Sequence, residues 1–417
     1  MATSRRDILG AGAAAGIGAF ATRVSAATFG NPDEPPQGIV NTQNNPRSAV
    51  DPGPQNRALS GQFPNAFTPP ATDVGDLPLF WASFNEAPRR IQDGGWARQV
   101  TQSDFQIAES IAGVNMRLAA GGIRELHWHQ AAEWAYMSYG NCRVTVLDPQ
   151  GRAYVADVTE GDLWYFPVGY PHSLQGLGPD GAEFILAFDN GKQSEFNTLL
   201  VTDWVAHTPP DVLAANFGMP AETFSKIFMH DLWIFQSSLP GPLAADQDAV
   251  KSPNGPPPNP FTYSLSRGPM ARQTTGGMAQ IADSHNFKAA ATIAAALVTV
   301  HPGGMREMHW HPNADEWQYY VKGSAQMTVF NTGPKAVTNN FNAGDIGYVK
   351  ANFGHYIKNV GDTDLVFLEI FKTDTYESIS LSDWLTHTPP AMVAAHFNLS
   401  PEDIARFPNN IPVVMPV

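Results

Sequence analysis

Two histidines separated by one residue, a glutamate just beyond and a third histidine further along could together hold a metal ion. These are His127, His129, Glu133 and His172, and the same set recurs as His309, His311, Glu316 and His355. Side chains alternate along a strand, so His-x-His in a strand presents both imidazoles on one face. Three imidazoles and one carboxylate disfavour copper(I) and iron–sulfur clusters, which prefer sulfur. Zinc would take the set in closed tetrahedral form. Manganese, iron, cobalt or nickel would keep two octahedral positions open, and the residues alone do not choose among them.

Arg124 and Arg306 each precede the first histidine of their set by three positions. The odd offset places them on the opposite strand face unless the Gly121-Gly122 and Gly303-Gly304 turns bend the chain. Turned inward, each guanidinium would suit a carboxylate ligand. Turned away, each would make a structural ion pair. An anionic ligand would need such a local positive centre, because the whole chain carries a formal charge of −14. That charge argues against nucleic acid and anionic membrane surfaces as partners. The single cysteine, Cys142, excludes a disulfide within the chain.

The elements that must position these residues are written twice. "GGIRELHWH" from Gly121 returns as "GGMREMHWH" from Gly303, and "TDWVAHTPP" ending at Pro210 returns as "SDWLTHTPP" ending at Pro390. Arg143–Leu147 and Gln326–Phe330 alternate as strands, whereas Glu183–Phe188 and Val366–Phe371 are nearly continuous apolar runs, as in strands covered on both faces. Each repeat ends in a helical patch with proline near its start, "PDVLAANFG" and "PAMVAAHFN". The reading is all-β: two sandwich or barrel domains, each with a small C-terminal helical lobe.

Before the repeats, Arg5-Arg6 and a Gly/Ala-rich run ending at Val24-Ser25-Ala26 read as a twin-arginine signal peptide over 1–26. The expectation is an exported protein, periplasmic or secreted, folded and loaded before export. Residues 27–76 read as a Pro/Asn-rich arm, 77–238 and 261–417 as the two domains, and 239–260 as a proline-rich linker that breaks helices and strands. No segment is long and apolar enough to span a membrane.

The glycine-framed pattern Gly121-x5-His127-x-His129-x3-Glu133-x6-Gly140, followed by Gly161-x5-Pro167-x-Gly169-x2-His172, resembles the cupin signature. Lys350 and Asn352 stand where proline and glycine are usual in the second copy, and Gly176 replaces the usual asparagine in the first; these touch turns, not ligands. Two copies make a bicupin. "RELHWH", "EWAYM", "GDLWYFP", "EWQYY" and "VFLEIFK" look like the bacterial bicupin oxalate decarboxylases from about Leu77 to the end. That resemblance implies a double-stranded β-helix (jelly-roll-like) in each domain and manganese in each, two per chain. It also implies oxalate as substrate, formate and carbon dioxide as products, dioxygen as catalytic co-substrate, and a homo-oligomer, often a hexamer.

The resemblance further implies that Ser194-Glu195-Phe196-Asn197-Thr198 is a mobile lid over the N-terminal metal, with Glu195 as the proton donor. The usual residues after that glutamate are Asn-Ser, where this chain has Phe196-Asn197. Glu369, a carboxylate in the apolar run "VFLEIF", is a second catalytic candidate by its resemblance to the family's C-terminal glutamate, or is a structural acid paired with Arg306. Competing readings are an oxalate oxidase on the same scaffold, a cupin dioxygenase of aromatic substrates, a storage globulin, which would lack full ligand sets, and simple metal sequestration.

Overall fold

The computed structural model describes residues 56–66, 68–270, 272–408 and 413–417. The leader read over 1–26, and the arm up to residue 55, lie outside them. Each repeat is a β-barrel of antiparallel strands. In the C-terminal domain two sheets face each other. One of seven strands includes Glu316–Lys322, Asp345–Val349 and Leu365–Phe371; one of six includes Gly304–Trp310, Ser324–Asn331 and Gly354–Asn359.

In the N-terminal domain the two layers join into one twelve-stranded sheet, because the strand Glu133–Leu147 runs through both. Its first half pairs with Ala182–Phe188, and its second half with Ala153–Thr159. The C-terminal counterpart breaks at Gly323, whose φ is +85°. Gly140 turns the corresponding corner at φ +72°, and a Cβ there would sit 2.1 Å from the Gly181 carbonyl oxygen, so only glycine fits.

Each barrel has its own apolar interior. Val114, Met116, Trp164 and Phe184 belong to the first, and Val298, Tyr320, Phe341 and Phe367 to the second. A third core joins the domains and draws on both: Trp134, Tyr165 and Ile185 from one, Trp317, Tyr348 and Leu368 from the other. Alternation explains this division of labour. Glu133 and Glu316 point into their barrels, so Trp134 and Trp317 next to them point outward into the shared core. The near-continuous apolar runs at 183–188 and 366–371 are therefore covered on both faces, as expected.

The domains also exchange strands. Trp81–Ser83 pairs with Asp345–Val349 of the C-terminal barrel, and Thr262–Ser264 pairs with Asp162–Phe166 of the N-terminal one. Upstream of Trp81 the arm lies on the C-terminal domain: Asp73 accepts hydrogen bonds from the Thr338 backbone N–H and hydroxyl, at 2.8 and 2.7 Å. The linker differs from expectation too. Its prolines flank a helix, Leu243–Ala249, instead of interrupting one. Pro242 stands just ahead of that helix, where a missing N–H costs nothing. The Asp246 carboxylate of this helix accepts from Arg143 at 2.6 Å, docking the linker on the first barrel. The helical patches form as read, at Pro210–Phe217 and Pro390–Phe397. Among the described residues no helix is long and apolar enough to cross a membrane.

Candidate metal centres

The four N-terminal side chains converge. The strand Gly122–Trp128 carries His127 and leads into His129, while Glu133 and His172 each open a strand of their own. Register places His127 directly opposite His172, and His309 opposite His355. In each set the ligand atoms lie within 4.8 Å of one another, and all eight residues are buried.

Backbone carbonyls aim the rings. The Nδ1 atoms of His127 and His172 meet the carbonyls of Glu125 and Tyr170 at 2.5 and 2.8 Å. In the second set His309, His311 and His355 meet those of Glu307, Glu377 and Phe353 at 2.7, 2.6 and 3.1 Å. A ring that donates from Nδ1 presents a lone pair on Nε2, which is how second partners orient metal-binding histidines.

The donors fit a divalent cation. His309 Nε2 and His311 Nε2 are 3.1 Å apart, two lone pairs facing each other. His355 Nε2 and Glu316 Oε2 are 2.8 Å apart yet not aligned for a hydrogen bond, so both are buried without a hydrogen-bond partner. Burial, reinforced by Arg124, holds His127 well below the usual histidine range, and burial with Arg306 does the same for His309. Burial pushes the Glu133 carboxyl up, but His172 and His129 outweigh it and hold the group far below the usual carboxylate range. Neutral imidazoles around an ionised carboxylate are the state that binds a metal.

Both arginines turn inward, and the cause is not the Gly-Gly turn. A β-bulge between Arg124 and His127, and its twin between Arg306 and His309, shifts the register. The extra residue resets the alternation. Leu126 and Met308 are thrown outward, and Arg124 and Arg306 are fully buried on the ligand side.

The environments of the two arginines then diverge. Arg306 is saturated. Its Nε donates to Glu369 at 3.1 Å, its Nη2 to Tyr376 at 2.9 Å and Ser378 at 3.3 Å, and its Nη1 to the Val413 carbonyl at 3.4 Å. Burial pulls the guanidinium down, but Tyr376, Glu369 and Glu307 outweigh it and hold it above its usual range. Glu369 pairs with Arg306 and also accepts from the Tyr376 hydroxyl at 3.1 Å. Arg124 is only partly satisfied. Nη1 donates to the Trp233 carbonyl at 3.3 Å, Nη2 reaches Thr198 and Glu195 at 3.4 Å each, and Nε is buried with no hydrogen-bond partner.

Glu195 is only 3 % exposed, on a 3₁₀ turn Glu195–Asn197 that covers the first centre. Its backbone N–H donates to the Gln99 amide oxygen at 2.9 Å, and the Ser194 hydroxyl to the same atom at 3.2 Å. Thr198 lies 3.3 Å from His129 Nδ1. The covering segment, from Phe188 to Trp204, is three residues longer than its counterpart from Phe371 to Trp384. Outside it lies a cavity of about 290 Å³ whose lining includes Arg89, Arg90 and Arg98. Asp104 and Glu195 line it as well, so three cations face two acids there.

Sequence reasoning missed Arg90, Trp233 and Tyr376, and placed Thr198 on the lid without giving it a role. Thr198 and Ser378 carry a signal in retrospect, since both stand six residues before the repeated Asp-Trp tryptophan. The departures at the turn are absorbed: Asn352 adopts φ +67°, as Gly169 does at +79°, because asparagine tolerates the left-handed region.

Fold and ligand sets define a two-domain cupin, and the Cupin family matches residues 82–224 and 264–405. Within that class the chain belongs to the oxalate decarboxylases. It is 52% identical to oxalate decarboxylase OxdC of Bacillus subtilis over 83% of this chain and 89% of that one. It is 40% identical to a probable oxalate decarboxylase of Arthroderma benhamiae over 87% and 90%. A structure of the Bacillus subtilis enzyme, solved to assign its Mn(II) centres, superposes with a TM-score of 0.85 at 49% identity, covering 87% of this chain and 96% of that one.

Proposed function

We propose that this chain is a manganese-dependent oxalate decarboxylase that turns over at the N-terminal centre. The observation that carries the choice of site is the half-satisfied Arg124 beneath the covering Glu195, against the saturated Arg306 of the other centre. His127, His129, Glu133 and His172 hold one manganese, and His309, His311, Glu316 and His355 the other. Bound manganese supplies Lewis acidity and a reversible one-electron sink, with dioxygen as catalytic co-substrate.

Arg124 holds one carboxylate of oxalate and so fixes the C–C bond beneath the lid. Glu195 takes the proton of the bound oxalate monoanion. Carbon dioxide leaves, and Glu195 returns the proton to the remaining carbon, giving formate. One oxalate monoanion becomes one carbon dioxide and one formate, with no net electron transfer. Buried and closed off, the lid keeps bulk water from quenching the one-carbon fragment.

Incubating the manganese-loaded protein with oxalate at mildly acid pH, while measuring formate, carbon dioxide and hydrogen peroxide together, tests this reading. Formate and carbon dioxide in equal amounts are expected. Peroxide as the main reduced product would make the chain an oxidase, and bound manganese without turnover would make it a storage or sequestering protein.

Two further expectations belong to the same proposal. The working form is a homo-oligomer, a hexamer, to be checked by analytical ultracentrifugation. The leader directs export of the folded protein, and replacing Arg5 and Arg6 by lysine should retain it inside the cell.

A further inference from the structure

Glu195 Oε2 has two guanidinium partners, and Arg124 at 3.4 Å is the more distant. The nearer, at 3.1 Å, is Arg90. It stands on the short strand Arg90–Gln92, away from the strands that carry the metal ligands. Arg90 Nε and Nη1 are buried without hydrogen-bond partners. Aromatic faces take the place of acceptors: the guanidinium lies 4.3 Å from the Trp233 ring centroid and 5.6 Å from that of Phe196. The two rings meet edge to face at 6.1 Å. A cation packed against two rings is attracted to both.

The three groups come from separate parts of the chain. Phe196 is on the lid and stays 66 % exposed, so packing in the barrel interior does not account for it. Trp233 is fixed from below. It holds φ +52°, strained for a bulky residue. Its backbone N–H and that of Leu232 donate to the buried Glu125 carboxylate at 2.7 and 2.9 Å. Its carbonyl accepts from Arg124. Trp233 is therefore a fixed platform, Arg90 a bridge, and Phe196 with Glu195 the part that it holds.

We infer that Arg90, packed against both Trp233 and Phe196, is the latch that keeps the lid shut over the N-terminal centre with Glu195 in place. Arg90 is a positioning residue that acts through Glu195, so the inference rests on the proton-transfer role proposed above. With the lid open, the one-carbon fragment left after carbon dioxide departs loses its proton source. Its oxidation by dioxygen then competes: one oxalate dianion, one dioxygen and two protons become two carbon dioxide and one hydrogen peroxide.

The test compares manganese-loaded wild type with Arg90→Gln, Arg90→Lys and Phe196→Ser. Amide hydrogen exchange across residues 192–200 and the formate-to-peroxide ratio are read together, with metal content and Tm as controls. Arg90→Gln should speed lid exchange about tenfold, the size of a desolvated cation–π contact, and lower the product ratio several-fold at unchanged metal content and Tm. Arg90→Lys should recover part of both, because a cation against the rings is retained, and Phe196→Ser should fall between. Wild-type exchange and product ratio in Arg90→Gln would overturn the latch. If the wild type makes no formate at all, the proposed activity fails, while lid exchange still decides whether Arg90 holds the segment.

Discussion

The two metal centres are near copies in their ligands and opposites one layer out. In the C-terminal barrel, Gln318 and Glu369 face each other across the sheet, and Tyr376 closes over them onto Arg306. In the N-terminal barrel the equivalent register positions are Ala135 and Leu186. At those positions, then, Arg124 has no acid like Glu369, and among the described residues its ion pair is with Glu195. The carboxylate it meets arrives on a surface segment, Glu195, lengthened by three residues. A buried arginine with a fixed partner has nothing left to offer a ligand. One whose partner can swing away can exchange it for a substrate carboxylate. The ligand sets are alike, and the two centres differ in the residues that complete the arginines.

The comparison is broken most directly by exchanging the two acids for amides. Glu195→Gln should cut formate production by about 10² to 10⁴, the usual worth of positioned acid–base catalysis. Its Tm should hardly move, because in the proposed mechanism the lid opens to water. Should that variant keep full formate yield, the N-terminal assignment falls. Glu369→Gln should behave in the reverse sense. It removes the nearer acid partner of the buried Arg306 and leaves Glu307, at 3.5 Å, as the remaining one, at a cost of up to about 3 kcal/mol in unfolding free energy, measurable by denaturant titration, with metal still bound at the first centre.

A finer version moves the C-terminal solution into the N-terminal barrel. Leu186→Glu would give Arg124 a resident acid like that of Arg306. KM for oxalate should then rise about tenfold or more, the size of a lost charge-assisted hydrogen bond; an unchanged KM would mean that Arg124 does not hold the substrate.

The remaining effect concerns both centres equally. His127 and His309 are kept neutral in the fold, with burial as the first cause, while the same residues titrate near 6.5 in the unfolded chain. Below that pH the unfolded chain binds protons that the folded one refuses. Metal-free protein should therefore lose stability as pH falls from about 6.5, at up to roughly 1.4 kcal/mol per pH unit for each histidine. Saturating manganese should offset much of the loss, and thermal melts at pH 7 and 5 with and without metal would check it.

What the sequence revealed and what it hid divide along physical lines. The ligand sets could be read because His-x-His on a strand leaves little geometric freedom, and because each set occurs twice. The barrels could be read from runs such as Val366–Phe371, whose lack of alternation reports burial on both faces. The inward arginines could not be derived from period two, since a single bulge residue at Glu125–Leu126 cancels the rule and no residue type announces it. The roles of Arg90 and Trp233 were hidden for a different reason. Each contacts Arg124 or Glu195 only through folding over long sequence distances, and neither sits in a repeated motif. The helix Leu243–Ala249 escaped because its flanking prolines were read as breakers when they are boundaries.

The reciprocal placement of Trp81–Ser83 and Thr262–Ser264 has a bearing on how this protein can be divided. Cutting the chain at the linker and producing each half alone would leave each barrel missing the strip its neighbour lends. An uncovered, apolar sheet margin would be exposed on both fragments, inviting clumping. The lent strands tie the two barrels into one folding unit, so the halves should become soluble only when both are made together.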